Sequence, residues 1–220
     1  MTLLKILDDL ASQADELEDV YMVNAFSGLY APYWRSDARG LIIGLTDRTT
    51  KKEICKAALD AVAFMTREVL DCTLADAGHS AQLTVLKVDG GMSSSRYLLQ
   101  RVSDLVRRKV VRPECVETTA LGAAFAAGLS TGFWASPEDI HNRIGKRVTE
   151  FTPLISEEYA DSHIRGWKRA VQRSLGWVVK PNPISDPKRT AFRLPRHLRS
   201  LLTGVLIGSV VTGIVLSRKR

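Results

Sequence analysis

The stretch from Leu83 to Ser95, LTVLKVDGGMSSS, decides how the rest of the chain is understood. LTVLKV, of mixed apolar character, reads as a strand, and Asp89-Gly90-Gly91 breaks it. From about Ser94 a helix follows, with Leu98, Leu99, Val102, Leu105 and Val106 on one face. Arg107, Arg108 and Lys109 close it with the charges that a helix C-terminus favours. Strand, double glycine and helix together suit a nucleotide or a phosphate. Two residues without Cβ leave bare main chain for a ligand to lie on. The helix start offers free N–H groups and a positive dipole end, and Ser93, Ser94 and Ser95 add hydroxyls. Asp-Gly and Gly-Gly pairs also make ordinary turns, so the motif alone leaves both meanings open.

Downstream, Val110-Val111 reads as a short strand stopped by Pro113. Thr118–Leu129, TTALGAAFAAGL, reads as a helix with little side-chain bulk. Glu117-Thr118-Thr119 and Gly122 form a second candidate for close approach, by a ligand, by the Gly90-Gly91 loop or by ordinary helix–sheet packing. Ser156 caps a predicted helix over 157–175 that turns Tyr159, Ile164, Trp167 and Val171 inward. Upstream, Thr50 and Glu53 form a capping box for a helix that Gly78 ends. Residues 20–25 and 41–45 read as strands around an aromatic loop, FSGLYAPYW. Leu3, Leu4, Ile6, Leu7, Leu10, Ala14 and Leu17 stripe a predicted helix over 3–17. Strands alternating with helices predict an α/β fold.

The chain has 220 residues, 45% hydrophobic and 25% charged, which excludes disordered, collagen-like and coiled-coil classes. Its net charge of +7 resides in residues 181–220, which hold eight basic side chains and one acid, Asp186. A neutral body with a basic end argues against a nucleic-acid partner. Cys55, Cys72 and Cys115 are widely spaced, without a zinc or disulfide pattern, and the four histidines lack metal-ligand spacing.

The expected organisation is an amphipathic helix at 1–19, a globular domain at 20–179, a Pro-rich basic linker at 180–200 and an apolar segment at 201–217. That segment, LLTGVLIGSVVTGIVLS, carries no charge and is fenced by Arg196, His197 and Arg199 before it and Arg218, Lys219 and Arg220 after it. At 1.5 Å per residue it spans roughly 25 Å, close to a thin hydrocarbon core. It predicts a transmembrane tail anchor, best matched to the mitochondrial outer membrane with the soluble part facing the cytosol; the alternative is a cytoplasmic protein.

The stretches VNAFSGLYAPYW, ARGLIIGLT, EICKAALDAVAFMTREVLD, VDGGMSSS and ETTALGAAFAAGL, in this order, resemble the C-terminal half of the FGGY carbohydrate kinases, glycerol kinases in particular. WKRAVQRSLGW at Trp167–Trp177 resembles the family's closing helix, so the resemblance runs from about Tyr21 to Trp177. It implies an actin-like, ribonuclease-H-like ATPase domain that lacks its first strands. It implies ATP with Mg as cofactors and glycerol as phosphoryl acceptor. It implies nucleotide contacts at Gly90, Gly91 and Ser95, Ser95 standing where the family has Asn and so giving a weaker adenosine contact. Arg35 stands where an acid is usual. The glycerol-binding residues and the catalytic base would lie in an N-terminal domain this chain does not match, and Mg would come with the nucleotide, its ligands outside this chain. The isolated 220 residues are therefore expected to fold poorly and to turn over no glycerol. A membrane-tethered, non-catalytic nucleotide-binding or interaction module is the alternative. A homo-oligomer contact through the aromatic loop is left open.

Overall fold

The computed structural model describes residues 2–15, 19–78, 83–143 and 147–179. Its element order is α1 (Leu3–Ala11), β1 (Tyr21–Val23), β2 (Leu41–Ile43), α2 (Lys51–Ala77), β3 (Val85–Lys87), α3 (Arg96–Val106), β4 (Lys109–Pro113), α4 (Thr118–Ser130), α5 (Pro137–Arg143), β5 (Val148–Phe151) and α6 (Glu157–Ser174). A 3₁₀ turn over Gly91–Ser94 leads into α3. β1 and β2 form an antiparallel hairpin, Met22 opposite Ile42. In the second sheet β4 lies between β3, parallel to it with Leu86 opposite Val110, and β5, antiparallel with Val110 opposite Phe151. The parallel pair flanking α3 is a βαβ unit, which needs a crossover of helical length.

The long helix α2 organises the core because one face is small and apolar. Ala57, Ala61 and Ala63 let neighbours approach, and Phe64 fills the space between them. Phe64 stacks on Trp167 of α6 with ring centroids 5.3 Å apart and lies 6.0 Å from the Tyr21 ring. One turn further on, buried Glu68 accepts from Trp167 Nε1 at 2.9 Å and from the Tyr33 hydroxyl. Asp60 of α2 pairs with Arg101 of α3 at 3.2 Å, both side chains under 10% exposed, and accepts from Tyr97 Oη at 2.9 Å. A charge in such a place is tolerable only when paired and hydrogen-bonded.

The predicted caps are present. Thr50 Oγ1 accepts from the α2 start, Gly78 ends the helix at φ +82°, and Ser156 accepts from Tyr159 N at 3.2 Å. Several boundaries differ from the sequence expectation, each for a local reason. α1 stops at Ala11, where the Ser12 hydroxyl takes the Asp8 carbonyl; the chain then turns, and Asp15 N donates to Glu53. β2 stops at Ile43, because Gly44 sits at φ +93° and a Cβ there would lie 2.2 Å from the Asp19 carbonyl oxygen. Tyr159 is exposed and not inward. Arg35 pairs with Asp37 at 2.6 Å, and Asp37 in turn accepts from Gly176 N, which ties the aromatic loop to the end of α6.

Among the described residues no helix is long and apolar enough to cross a membrane. The predicted linker at 180–200 and span at 201–217 lie outside the described residues.

Glu53 joins α1's exit to α2. The Thr50 hydroxyl foremost, with the Thr50 and Asp15 amides, holds its carboxyl down to about 2 against the opposing effect of burial. The ionised form is thus bound better by the folded chain. Its stabilisation is fully present above the unfolded value of about 4.3 and is lost as pH falls through the folded one. Glu53→Gln is expected to be less stable than the parent at pH 7, with the gap closing between about pH 4.5 and 2. Urea midpoints measured across that range check it; a gap that stays constant contradicts the assignment.

Candidate functional site

The Gly90-Gly91 loop leaves the sheet directly after β3. Val88 N still donates to Val111 O at 2.9 Å, and Gly90 N then donates across to Val116 O at 3.0 Å. Gly90 has φ +83°, a conformation L side chains rarely adopt, and this lets the chain reverse into the 3₁₀ turn. The turn is tightened by its own serines: Ser93 Oγ donates to Gly90 O at 2.6 Å and Ser94 Oγ to Gly91 O at 2.7 Å. The helix predicted from Ser94 therefore begins at Arg96.

Gly91 differs from Gly90. Its φ is not in the left-handed region, and a Cβ built on it would meet nothing within 4 Å. The fold of this chain places no demand for glycine there. Gly122, inside α4, is equally open, although glycine in a helix interior costs about 1 kcal/mol relative to alanine. The two positions belong to one surface. Thr118, the first residue of α4, donates its hydroxyl to Asp89, and Gly90 bonds the residue two before it. None of the thirteen residues of α4 is buried. Loop and helix thus form a bare shelf of main chain and methyl groups, with exposed Asp89 at its edge. The sequence placed Gly90, Gly91 and the Thr118–Gly122 stretch in two separate candidates, and the structure joins them.

Ser95 is not on that shelf. It is 2% exposed, accepts from Leu98 N at 3.0 Å as the N-cap of α3, and donates to the Asp8 carboxylate. The expected free N-terminus of α3 also needs correction. Asp8 of α1 accepts from Arg96 N at 3.2 Å and Tyr97 N at 3.1 Å, so an internal carboxylate already occupies the anion position there. Asp8 was not singled out in the sequence, because nothing local links it to a helix 87 residues away.

Among the described residues no three His, Cys, Asp or Glu side chains gather as a metal site. Asp89 is a single carboxylate already accepting from Thr118, so these residues do not form a cage for Mg.

The sequence profile of the FGGY family of carbohydrate kinases, C-terminal domain, matches residues 4–131. Over 172 residues, 78% of this chain, the sequence is 48% identical to glycerol kinase 1 of Streptomyces avermitilis, of which the match takes in 33%. Over an equal length it is 47% identical to the glycerol kinase of Roseiflexus sp., 34% of which is matched. The chain therefore spans about a third of the length of these relatives. Among solved structures it is similar to Plasmodium falciparum glycerol kinase with ADP, at TM-score 0.67 and 35% identity, over 78% of this chain and 34% of that one. It also resembles ligand-bound xylulose kinase from Lactobacillus acidophilus at TM-score 0.60, over 77% of this chain and 34% of that one; at 18% identity this is a likeness of fold alone. These neighbours bear out the actin-like, ribonuclease-H-like α/β class.

Ser95→Ala removes the α3 cap and one of the three donors to the Asp8 carboxylate, leaving the Arg96 and Tyr97 amides. The expected loss is about 1 kcal/mol, or roughly 2–4 °C in Tm for a chain of this size. Thermal denaturation followed by circular dichroism reads it; an unchanged Tm contradicts the capping role.

Proposed function

Since the chain belongs to the FGGY family of carbohydrate kinases, we propose that it forms the nucleotide-holding side of a glycerol kinase, which transfers the γ-phosphoryl of ATP to a hydroxyl of glycerol. The observation that carries this reading is Gly91: a residue without a side chain where the fold itself has room for one. Such a position makes sense when a second body rests on the backbone. In this reading adenosine lies on Gly90 and Gly91, the small residues of α4 flank it, and Ser95 holds the floor in place by capping α3.

Phosphoryl transfer asks mainly for positioning and charge stabilisation. The residues described here hold and orient the nucleotide. Glycerol and the base that takes its proton belong, in this proposal, to the part of the relatives' length that the chain does not match. Mg would arrive with the phosphates, which are its preferred partners alongside one or two carboxylates, and would neutralise their charge.

Gly91→Val tests the proposal without disturbing the fold, because the new side chain points into open space. Its melting temperature is expected to stay within about 2 °C of the parent, an exposed substitution being worth little. Its affinity for ATP is expected to fall by about tenfold or more, read by titration calorimetry on the full chain. Undiminished ATP binding removes the site.

The segment 201–217, uncharged and flanked by basic residues, supports a further part of the proposal, anchorage at the mitochondrial outer membrane. A fluorescent protein fused to residues 180–220 is expected to outline mitochondria in cells. A diffuse signal overturns it and favours the cytoplasmic alternative.

A further inference from the structure

A cleft of about 510 Å³ lies between α6 and the β1–β2 hairpin, and three arginines, Arg165, Arg169 and Arg173, line it. They stand four residues apart, so one face of α6 presents all three. All three are exposed, and none makes an ion pair or side-chain hydrogen bond with another described residue. Like charges at this spacing work against the helix. Arg173 recovers part of that cost by lying in the last turn, where the dipole favours a cation; Arg165 and Arg169 do not. The acid at the cleft is Asp19, 75% exposed, its carboxylate 4.0 Å from His163 Nε2. Burial foremost keeps His163 towards its neutral form, so the cleft retains a surplus of positive charge.

Two glycines and a tyrosine give the cleft a defined wall. Tyr21 reaches α6 at Gly166, where a Cβ would stand 2.0 Å from its hydroxyl oxygen. On the hairpin side Gly44 at φ +93° brings the backbone tightly against Asp19. The Tyr21 hydroxyl makes no hydrogen bond with a described residue. Burial foremost, with the charge of Asp19, pushes its phenol up to about 12, so it stays a donor. The cleft thus offers guanidinium forks and one phenolic donor, with room for a ligand of ordinary metabolite size.

We infer that this cleft binds a small, soluble anion carrying two or more phosphate groups. Arg165 and Arg173 are separated by about 12 Å along the helix axis, from the rise of 1.5 Å per residue. One phosphate engages one or two of the forks, whereas a chain of phosphates engages all three. The site is separate from the Gly90-Gly91 shelf and does not depend on the reading given to it.

The test is calorimetric titration of the full chain with inorganic tripolyphosphate at physiological salt. Saturable binding at one per chain is expected, with orthophosphate weaker by about tenfold or more. Arg169→Gln is expected to weaken tripolyphosphate binding by about tenfold, and Tyr21→Phe by a few-fold, with circular dichroism unchanged. Lys168→Gln, an equal charge change next in sequence but outside the cleft, is expected to bind like the parent. No saturable binding overturns the inference. So does equal affinity for orthophosphate, or an equal loss in Lys168→Gln, which marks diffuse attraction to a basic surface. Vesicles of phosphatidylcholine with phosphatidylinositol bisphosphate separate the two sources of phosphate: Arg169-dependent binding to vesicles without binding of tripolyphosphate also overturns it. Dependence on Arg169 distinguishes this site from any anion binding at Gly90-Gly91, so the two can fail separately.

Discussion

Glu68 of α2 is buried, and its carboxylate receives a hydrogen bond from the indole of Trp167 on α6 and another from the phenol of Tyr33 in the aromatic loop. Three segments distant in sequence meet at one side chain. Phe64, one turn earlier, stacks on the same indole and touches Tyr21 of β1. A buried carboxylate is costly unless donors reach it, so these partners are fixed in place as firmly as the carboxylate needs them. The hairpin and α6 thereby take up one relative position, and with them the walls of the arginine-lined cleft. Tyr33 feels the arrangement in return: burial foremost, then its bond to Glu68, raises its pKa well above the usual phenol range.

The other half of the molecule depends on Asp8. It closes the N-terminus of α3 from outside, through the amides of Arg96 and Tyr97 and the hydroxyl of Ser95. With that helix start fixed, the 3₁₀ turn before it is held at both ends, by Ser95 below and by the Gly90–Val116 bond above. The two glycines of the loop then divide the work. Gly90 supplies a backbone angle, and Gly91 supplies empty space.

Much of this was legible in the sequence. The α2 capping box, the stop at Gly78 and the Ser156 cap are local patterns, and they appear where spacing put them. The strand–Gly-Gly–helix order was legible for the same reason. What escaped was long-range or short. Asp8 meets α3 only after folding, and Glu68 meets Tyr33 and Trp167 from 35 and 99 residues away. Arg165, Arg169 and Arg173 are ordinary helix residues until Gly44, Gly166 and Tyr21 set the wall of a cleft beside them. β5 is four residues with only Phe151 buried, and α5 has seven residues, so neither carries enough periodicity to stand out. Ser95 was assigned by likeness to the kinases; its burial follows from neighbours a sequence pattern does not display.

The thirteen residues of α4, none of them buried, have a thermodynamic consequence. A helix of that length is marginal by itself in water, even when rich in alanine. Here Thr118 moors one end to Asp89, and at the other Trp134 packs against Gly128, where a Cβ would lie 2.3 Å from its ring. The turns between add the edge-on contact of Phe125 with the Trp134 ring to their own backbone bonds. Anything that settles on this face also stills it, and the entropy lost in that stilling is subtracted from its affinity. A second visitor to the same face would find the cost already met, so two ligands with no contact between them would favour each other's binding.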